Sequence, residues 1–237
     1  TRCMDGYFDR EATKPYQAGI WRAEEMHKTV FDLQPHIVIN NRYILPGDYG
    51  TPEQRIEATA DGSMWESCLT MDPGGWGYIP FSPNTKTPSR IAEDMVDIAR
   101  GGGNLLLNTG PKPDGTLKEM DVERILENGQ WRRRYAEVFE DADRSPLDDN
   151  HERWSFNSNG RWIGSKKDPK VQYLFTRSWA GPEFWQTKIG TQVSSITRLD
   201  DGSQVAFREE PHGRLVLYGL PDVLPDPLGT FFRVEFK

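Results

Sequence analysis

Ala99-Arg100-Gly101-Gly102-Gly103-Asn104-Leu105-Leu106-Leu107-Asn108-Thr109-Gly110-Pro111 is the stretch on which the fold turns. Three consecutive glycines do not continue a helix, since glycine keeps more backbone freedom outside one and readily takes the conformation that closes a helix end. Before them, Ile91, Met95, Ile98 and Ala99 recur at helical spacing, with Thr87 or Ser89 available as the cap. After them, Leu105-Leu106-Leu107 is an apolar run too short for a helix and bounded by the turn-rich 108–115, which predicts a strand buried on both faces. Helix, turn, buried strand and polar loop together make one repeat of a parallel α/β sheet.

The same repeat extends in both directions. Met4 to Phe8 reads as a first strand ending at Asp9, and Ile20, Ala23, Met26, Val30 and Leu33 as one face of a helix over Ile20 to Leu33. His36-Ile37-Val38-Ile39-Asn40 reads as a second buried strand, and Met64 to Met71 as a third. Between them, Tyr43 to Gly62 is a long loop, and loops of that length in compact domains are usually functional. Downstream, Leu117 to about Val138 reads as a helix burying Val122, Ile125, Leu126 and Tyr135, with Arg132-Arg133-Arg134 on its solvated side.

Around Asp141 to Asn150 the composition turns acidic and irregular, and the pattern changes after it. Val171 to Phe175, Gln192 to Leu199, Gln204 to Phe207, Leu215 to Tyr218 and Phe231 to Phe236 read as short strands separated by turns such as Asp200-Asp201-Gly202. An antiparallel sandwich over 151–237, joined by a linker at 141–150, is the expectation.

Composition narrows the function. Among 237 residues, 36 acidic against 29 basic side chains give a net charge of −7, no footprint for a nucleic acid backbone or an anionic membrane. No run approaches the roughly 18 apolar residues of a membrane span. Cys3 and Cys68 form no metal-binding or disulfide pattern and read as buried thiols. Eight Trp, eight Tyr and eleven Phe fill a core, but such flat apolar rings also stack on sugar C–H faces.

Parallel α/β sheets deliver their chemistry at the C-terminal ends of the strands, so carboxylates at strand ends and in long loops are the first candidates. Asp9 ends strand one, beside Tyr7 and Phe8, which can exclude water; taken alone, such an Asp also caps the following segment. Arg42 follows strand two and suits either a sugar hydroxyl or a structural ion pair. Asp48 and Glu53 sit in the long loop, while Trp65-Glu66 and Trp76-Gly77-Tyr78 join aromatics to another acid in or near strand three, all expected at one end of the sheet. Core packing is the competing explanation for these tryptophans.

The strings Leu33-Gln34-Pro35-His36-Ile37-Val38-Ile39-Asn40-Asn41-Arg42, Gly47-Asp48-Tyr49-Gly50-Thr51-Pro52-Glu53, Trp65-Glu66-Ser67-Cys68-Leu69-Thr70-Met71 with Trp76-Gly77-Tyr78, and Gly102 to Pro111 with Asp114-Gly115-Thr116 resemble, in that order, glycoside hydrolase family 29, the retaining α-L-fucosidases. Leu224-Pro225-Asp226-Pro227 resembles the end of that family's β-sandwich. The resemblance implies that 1–140 is the C-terminal half of a (β/α)8 TIM-like catalytic barrel. It implies Asp9 as nucleophile and Glu53 as acid/base with Glu66 in reserve, and a fucose pocket lined by Tyr7, Arg42, Glu66, Trp65 and Trp76.

The implied chemistry is a double displacement in which Asp9 attacks the anomeric carbon while Glu53 protonates the leaving oxygen, then activates water, with the carboxyls about 5–5.5 Å apart. It needs an ionised Asp9 and a neutral, partly desolvated Glu53, and neither metal nor organic cofactor. The implied substrate is a fucosylated oligosaccharide or glycoconjugate, and an oligomer of identical chains is compatible with it. A secreted, periplasmic or lysosomal-type compartment follows from the resemblance alone. Four strands are half of a closed barrel, so an upstream segment or second polypeptide is expected to complete it. The rival is a non-catalytic carbohydrate-binding or scaffold module of the same fold.

Overall fold

A computed structural model describes residues 17–59, 62–82, 84–147, 160–179, 181–187, 189–190 and 192–237. The expected first strand, with Cys3, Tyr7 and Asp9, lies outside these residues.

The first part of the chain runs α1 (Ala23–Leu33), a 3-10 turn (Asn41–Tyr43), β1 (Glu66–Thr70), α2 (Pro88–Arg100), β2 (Asn104–Asn108), α3 (Glu119–Arg134) and α4 (Ala136–Asp141). β1 and β2 pair in parallel, Glu66 opposite Asn104 and Thr70 opposite Asn108, with α2 crossing between them. Thr87 caps α2, its Oγ1 accepting from the Arg90 N–H at 3.2 Å. The Gly101 and Gly103 N–H groups close its other end on the Ile98 carbonyl, and that of Gly102 on Ala99.

Four expectations change. α1 starts at Ala23, because Arg22 stands in the left-handed region at φ 51°. Its apolar stripe is largely uncovered, with Leu33 82% exposed. Residues 36–40 are not a strand: only Asn40 bridges a neighbour, Tyr49, since a strand exists only where a partner runs alongside it. β2 is half-buried, Leu106 42% exposed, because among the described residues it has one strand neighbour. The helix over 117–138 breaks at Tyr135, and Leu126 is exposed; Asp121, Asn128, Trp131, Tyr135 and Val138 form the buried side. The chain beyond supplies the surface that selects that side.

That surface is an antiparallel five-stranded sheet in the order β3-β4-β5-β10-β7, from β3 (Ala142–Asp143), β4 (Arg161–Ser165), β5 (Val171–Thr176), β7 (Val193–Arg198) and β10 (Thr230–Phe236). A three-stranded sheet, β6 (Glu183–Gln186), β9 (Arg214–Tyr218) and β8 (Ala206–Glu210), accompanies it. β4, β6 and the β3 pairing within 141–150 are absent from the sequence reading, their runs being short and mixed. Val171, Tyr173 and Phe175 of β5 and Phe231 of β10 pack with Ala92, Val96, Trp131 and Val138 of the helices. Leu174, Phe232 and Val234 face the other way, into a core with Phe184, Leu215 and Leu217. This alternation lets one sheet serve two cores.

Asp141 pins the end of α4 to this sheet. It is 3% exposed and accepts from the Tyr173 hydroxyl at 2.9 Å, the Lys167 N–H at 3.0 Å and the Ser165 hydroxyl. Burial works against its charge, yet the hydrogen bonds from Ser165, Tyr173 and Lys167 prevail and hold the carboxyl below its ordinary range. A depressed carboxylate contributes stability that is complete above its unfolded pKa, about 3.9, and vanishes as pH falls through the folded value. Asp141→Asn should therefore cost about 2 kcal/mol at neutral pH. In urea melts at several pH values that deficit should shrink as the buffer becomes more acid than the unfolded carboxyl; a pH-independent deficit would contradict the assignment.

Candidate active site

The loop expected over Tyr43 to Gly62 is in part an irregular strand. Gly50 bridges Trp65 and Glu53 bridges Cys68, both parallel and in one register, while Tyr49 bridges Asn40 on the other side. The ladder runs through the Glu66 N–H to Gly50 O at 2.8 Å, Cys68 N–H to Pro52 O at 2.9 Å and Asn41 N–H to Tyr49 O at 3.0 Å. The chain enters this register through Gly47, where a Cβ would lie 2.4 Å from the Asn40 carbonyl carbon, so only glycine permits the approach. Asp48 fastens the entry, accepting from the Ile39 N–H at 2.8 Å and donating its own N–H to Ile39 O at 2.7 Å.

This register brings Glu53 and Cys68 side by side, with the Arg42 guanidinium against both. The Arg42 Nη1 donates to Glu53 Oε1 in a direct ion pair, and its Nε donates to Thr51 Oγ1 at 3.0 Å. The Thr51 hydroxyl donates to Asn41 Oδ1 at 3.0 Å, and Asn40 Oδ1 accepts from the Arg42 N–H at 3.1 Å. Partial burial opposes the charge of Arg42, but the Glu53 carboxylate and the Cys68 thiol beside it raise its pKa above the ordinary value. Burial pushes the Cys68 thiol up; Arg42 opposes that rise, while Glu66 and Glu53 add to it. Glu66 Oε1 lies 4.0 Å from the Cys68 sulfur. Immediately after Glu53, Gln54 takes φ 54°, a conformation that non-glycine residues adopt at a cost of about 1–3 kcal/mol and that clusters at functional sites.

Arg42, Glu53 and Glu66 are thus brought together around Cys68. Trp65 is not available to a sugar: it is 1% exposed, its indole N–H donates to Gly101 O at 3.1 Å, and its ring packs on Gly103. Trp76 is half-buried in the loop after β1, whereas Glu66 opens that strand, so the expected convergence at one strand end is not found. At about 3.3 Å per residue, β1 itself separates them. The loop carrying Trp76 is anchored by Asp72, which accepts from the Gly74 N–H at 2.9 Å and faces Lys118 at 3.7 Å. Gly110 packs directly on the Gly77 backbone. Asn41, Thr51 and Cys68 went unselected from sequence; the alternation Thr51, Glu53 opposite Glu66, Cys68 is the signal that contained them. Among the described residues no group of His, Cys, Asp or Glu is arranged to hold a metal ion, and no helix is long and apolar enough to cross a membrane.

Residues 5–137, more than half the chain, match the family model described as alpha-L-fucosidase. The chain belongs to the alpha-L-fucosidase family. Tissue alpha-L-fucosidase of Bos taurus is 27% identical over 235 residues, covering 92% of this chain and 47% of that protein. The Mus musculus tissue alpha-L-fucosidase is 40% identical over 205 residues, covering 81% and 41%. The chain therefore spans about half the length of the curated alpha-L-fucosidases it matches. Alpha-L-fucosidase isoenzyme 1 from Paenibacillus thiaminolyticus superposes with TM-score 0.78 at 23% identity, over 92% of this chain and 54% of that one. A Bacteroides thetaiotaomicron alpha-L-fucosidase, trapped as a covalent intermediate with 2-fluoro-fucosyl fluoride, gives TM-score 0.76 at 20% identity, covering 92% and 53%. The alpha-L-fucosidase fold is shared, and with it the mixed α/β first part and antiparallel second part.

Proposed function

We propose that this chain carries both catalytic carboxylates of a retaining α-L-fucosidase active site, acting on terminal fucosyl residues of glycans. The observation that carries this reading is the Arg42–Glu53 ion pair, held next to Glu66 by the parallel register of 50–53 on 65–68. In the double displacement, Asp9 forms the fucosyl ester and Glu53 protonates the leaving oxygen. Donation requires the Glu53 carboxyl to face the leaving oxygen rather than the guanidinium. Arg42 must therefore leave Glu53 as substrate binds, and a sugar hydroxyl is the natural acceptor for its freed N–H groups. The uncovered stripe of α1 and the half-exposed face of β2 suit a sheet that continues, with 1–140 as part of a (β/α)8 barrel and 151–237 as a sandwich to which β3, inside the expected linker 141–150, adds an edge strand. An upstream segment or partner chain would supply the remaining strands.

The test is hydrolysis of 4-nitrophenyl α-L-fucoside by the polypeptide bearing this sequence, alongside Glu53→Gln and Glu66→Gln. Glu53→Gln should lower kcat at least about 10²-fold, the usual scale of general acid–base catalysis, and Glu66→Gln much less. The reverse order transfers the role to Glu66. Fucose binding without turnover in the unsubstituted protein would favour a carbohydrate-binding module.

A further inference from the structure

We infer that Asn41 and Thr51 are positioning residues that set the orientation of Arg42 and, through it, Glu53; this rests on the acid/base reading above. Four side chains form one run of hydrogen bonds that diverges from Arg42, which donates both to Glu53 and to Thr51. Thr51 Oγ1 donates to Asn41 Oδ1 at 3.0 Å, leaving its lone pairs to accept the Arg42 Nε–H at 3.0 Å, and Arg42 Nη1 reaches Glu53. A hydroxyl suits the middle of this chain because it donates once and accepts as well.

Fixing Nε fixes the plane of the whole guanidinium, which is rigid and presents its donors in one fork. With Nε held, the Nη groups keep only the rotation that the Thr51 bond permits, and the Glu53 carboxyl is met from one direction. The backbone makes the chain possible. Asn41 and Arg42 come from the turn after residues 36–40, and Thr51 and Glu53 lie two apart on the irregular strand, on the same side of it. Asn41 N–H to Tyr49 O at 3.0 Å locks the two segments in that offset, and the missing side chain of Gly47 lets them approach. Release of Arg42 toward substrate then pivots about the Thr51 hydroxyl, so the guanidinium returns to one place after each turnover.

The experiment compares Thr51→Val, which keeps shape and removes the hydroxyl, with Thr51→Ser, which restores it. In ¹⁵N spectra of arginine-labelled protein, the Arg42 Nε–H should be protected from exchange in the unsubstituted and Ser proteins and unprotected in the Val variant. In the fucoside assay, Thr51→Val should lower kcat about tenfold with KM little changed, and Ser should recover most of it. Asn41→Ala should reproduce the Val effect more weakly. Equal protection in Val and unsubstituted protein overturns the inference whether or not fucoside is hydrolysed, as does an unchanged kcat. Absence of hydrolysis by the unsubstituted protein removes the fucosidase reading instead, and leaves the spectra to decide the positioning.

Discussion

Asp9→Asn should lower kcat/KM for 4-nitrophenyl α-L-fucoside by roughly 10⁶-fold, the scale on which loss of a covalent nucleophile is felt. The amide fills the same space but cannot form the fucosyl ester, so only direct attack by water remains. In Asp9→Gly, whose missing side chain leaves room for a small anion, azide should restore turnover, and the product should be fucosyl azide of inverted anomeric configuration. With Glu53→Gln, azide should instead intercept the fucosyl ester and give the retained configuration. Undiminished activity of Asp9→Asn would remove Asp9 from the mechanism; rescue with retention would move it to the acid/base role. The two azide products thus assign both carboxylates independently of rate.

Trp131→Ala should destabilise the folded chain by about 3–5 kcal/mol in urea unfolding, the range for emptying a large aromatic site. Trp131 is 3% exposed and donates its indole N–H to Gly229 O at 2.9 Å across the helix–sheet boundary. Its ring lies edge-on to Tyr135, Phe139 and Phe175, with centroids 5.6, 5.5 and 6.1 Å away, and tilted against Phe231 at 5.7 Å. Such arrangements add about 0.5–1.5 kcal/mol per pair beyond area burial. Trp131→Phe keeps most of the packing and loses the hydrogen bond, so about 1–2 kcal/mol is expected. An Ala variant as stable as its parent would show that the helices and the sheet are not energetically joined there.

How much of this was legible from sequence depended on where the cause lay. α2, its cap at Thr87 and its closure at Gly101 to Gly103 are local chemistry, and they stand where the spacing put them. So do β5 and β10, whose aromatic runs suit a strand buried on both faces. Residues 36–40 look as strongly β-forming as 105–107, but strand formation depends on a neighbour, which sequence periodicity does not specify. Leu126 and Trp131 compete for the buried side of α3, and the sheet of the second part decides between them. Arg42 and Glu53, which the structure brings into an ion pair, were legible as charged groups of two neighbouring segments. Thr51 and Asn41 were not, because their contribution arises from a register set by backbone contact at Gly47.

The central sheet, buried on both faces, bears on how the chain could be divided. Composition changes near 141–150, yet Arg161 of β4 pairs with Asp97 of α2 at 2.7 Å, and Trp131 of α3 reaches Gly229 near β10. A cut at the compositional seam would strip one face from the sheet and the floor from the helices, exposing two complementary apolar surfaces rather than two soluble modules. The antiparallel part is thus no detachable appendage. It is the foundation on which the helices are laid, and heat or denaturant should dissolve both in one cooperative step.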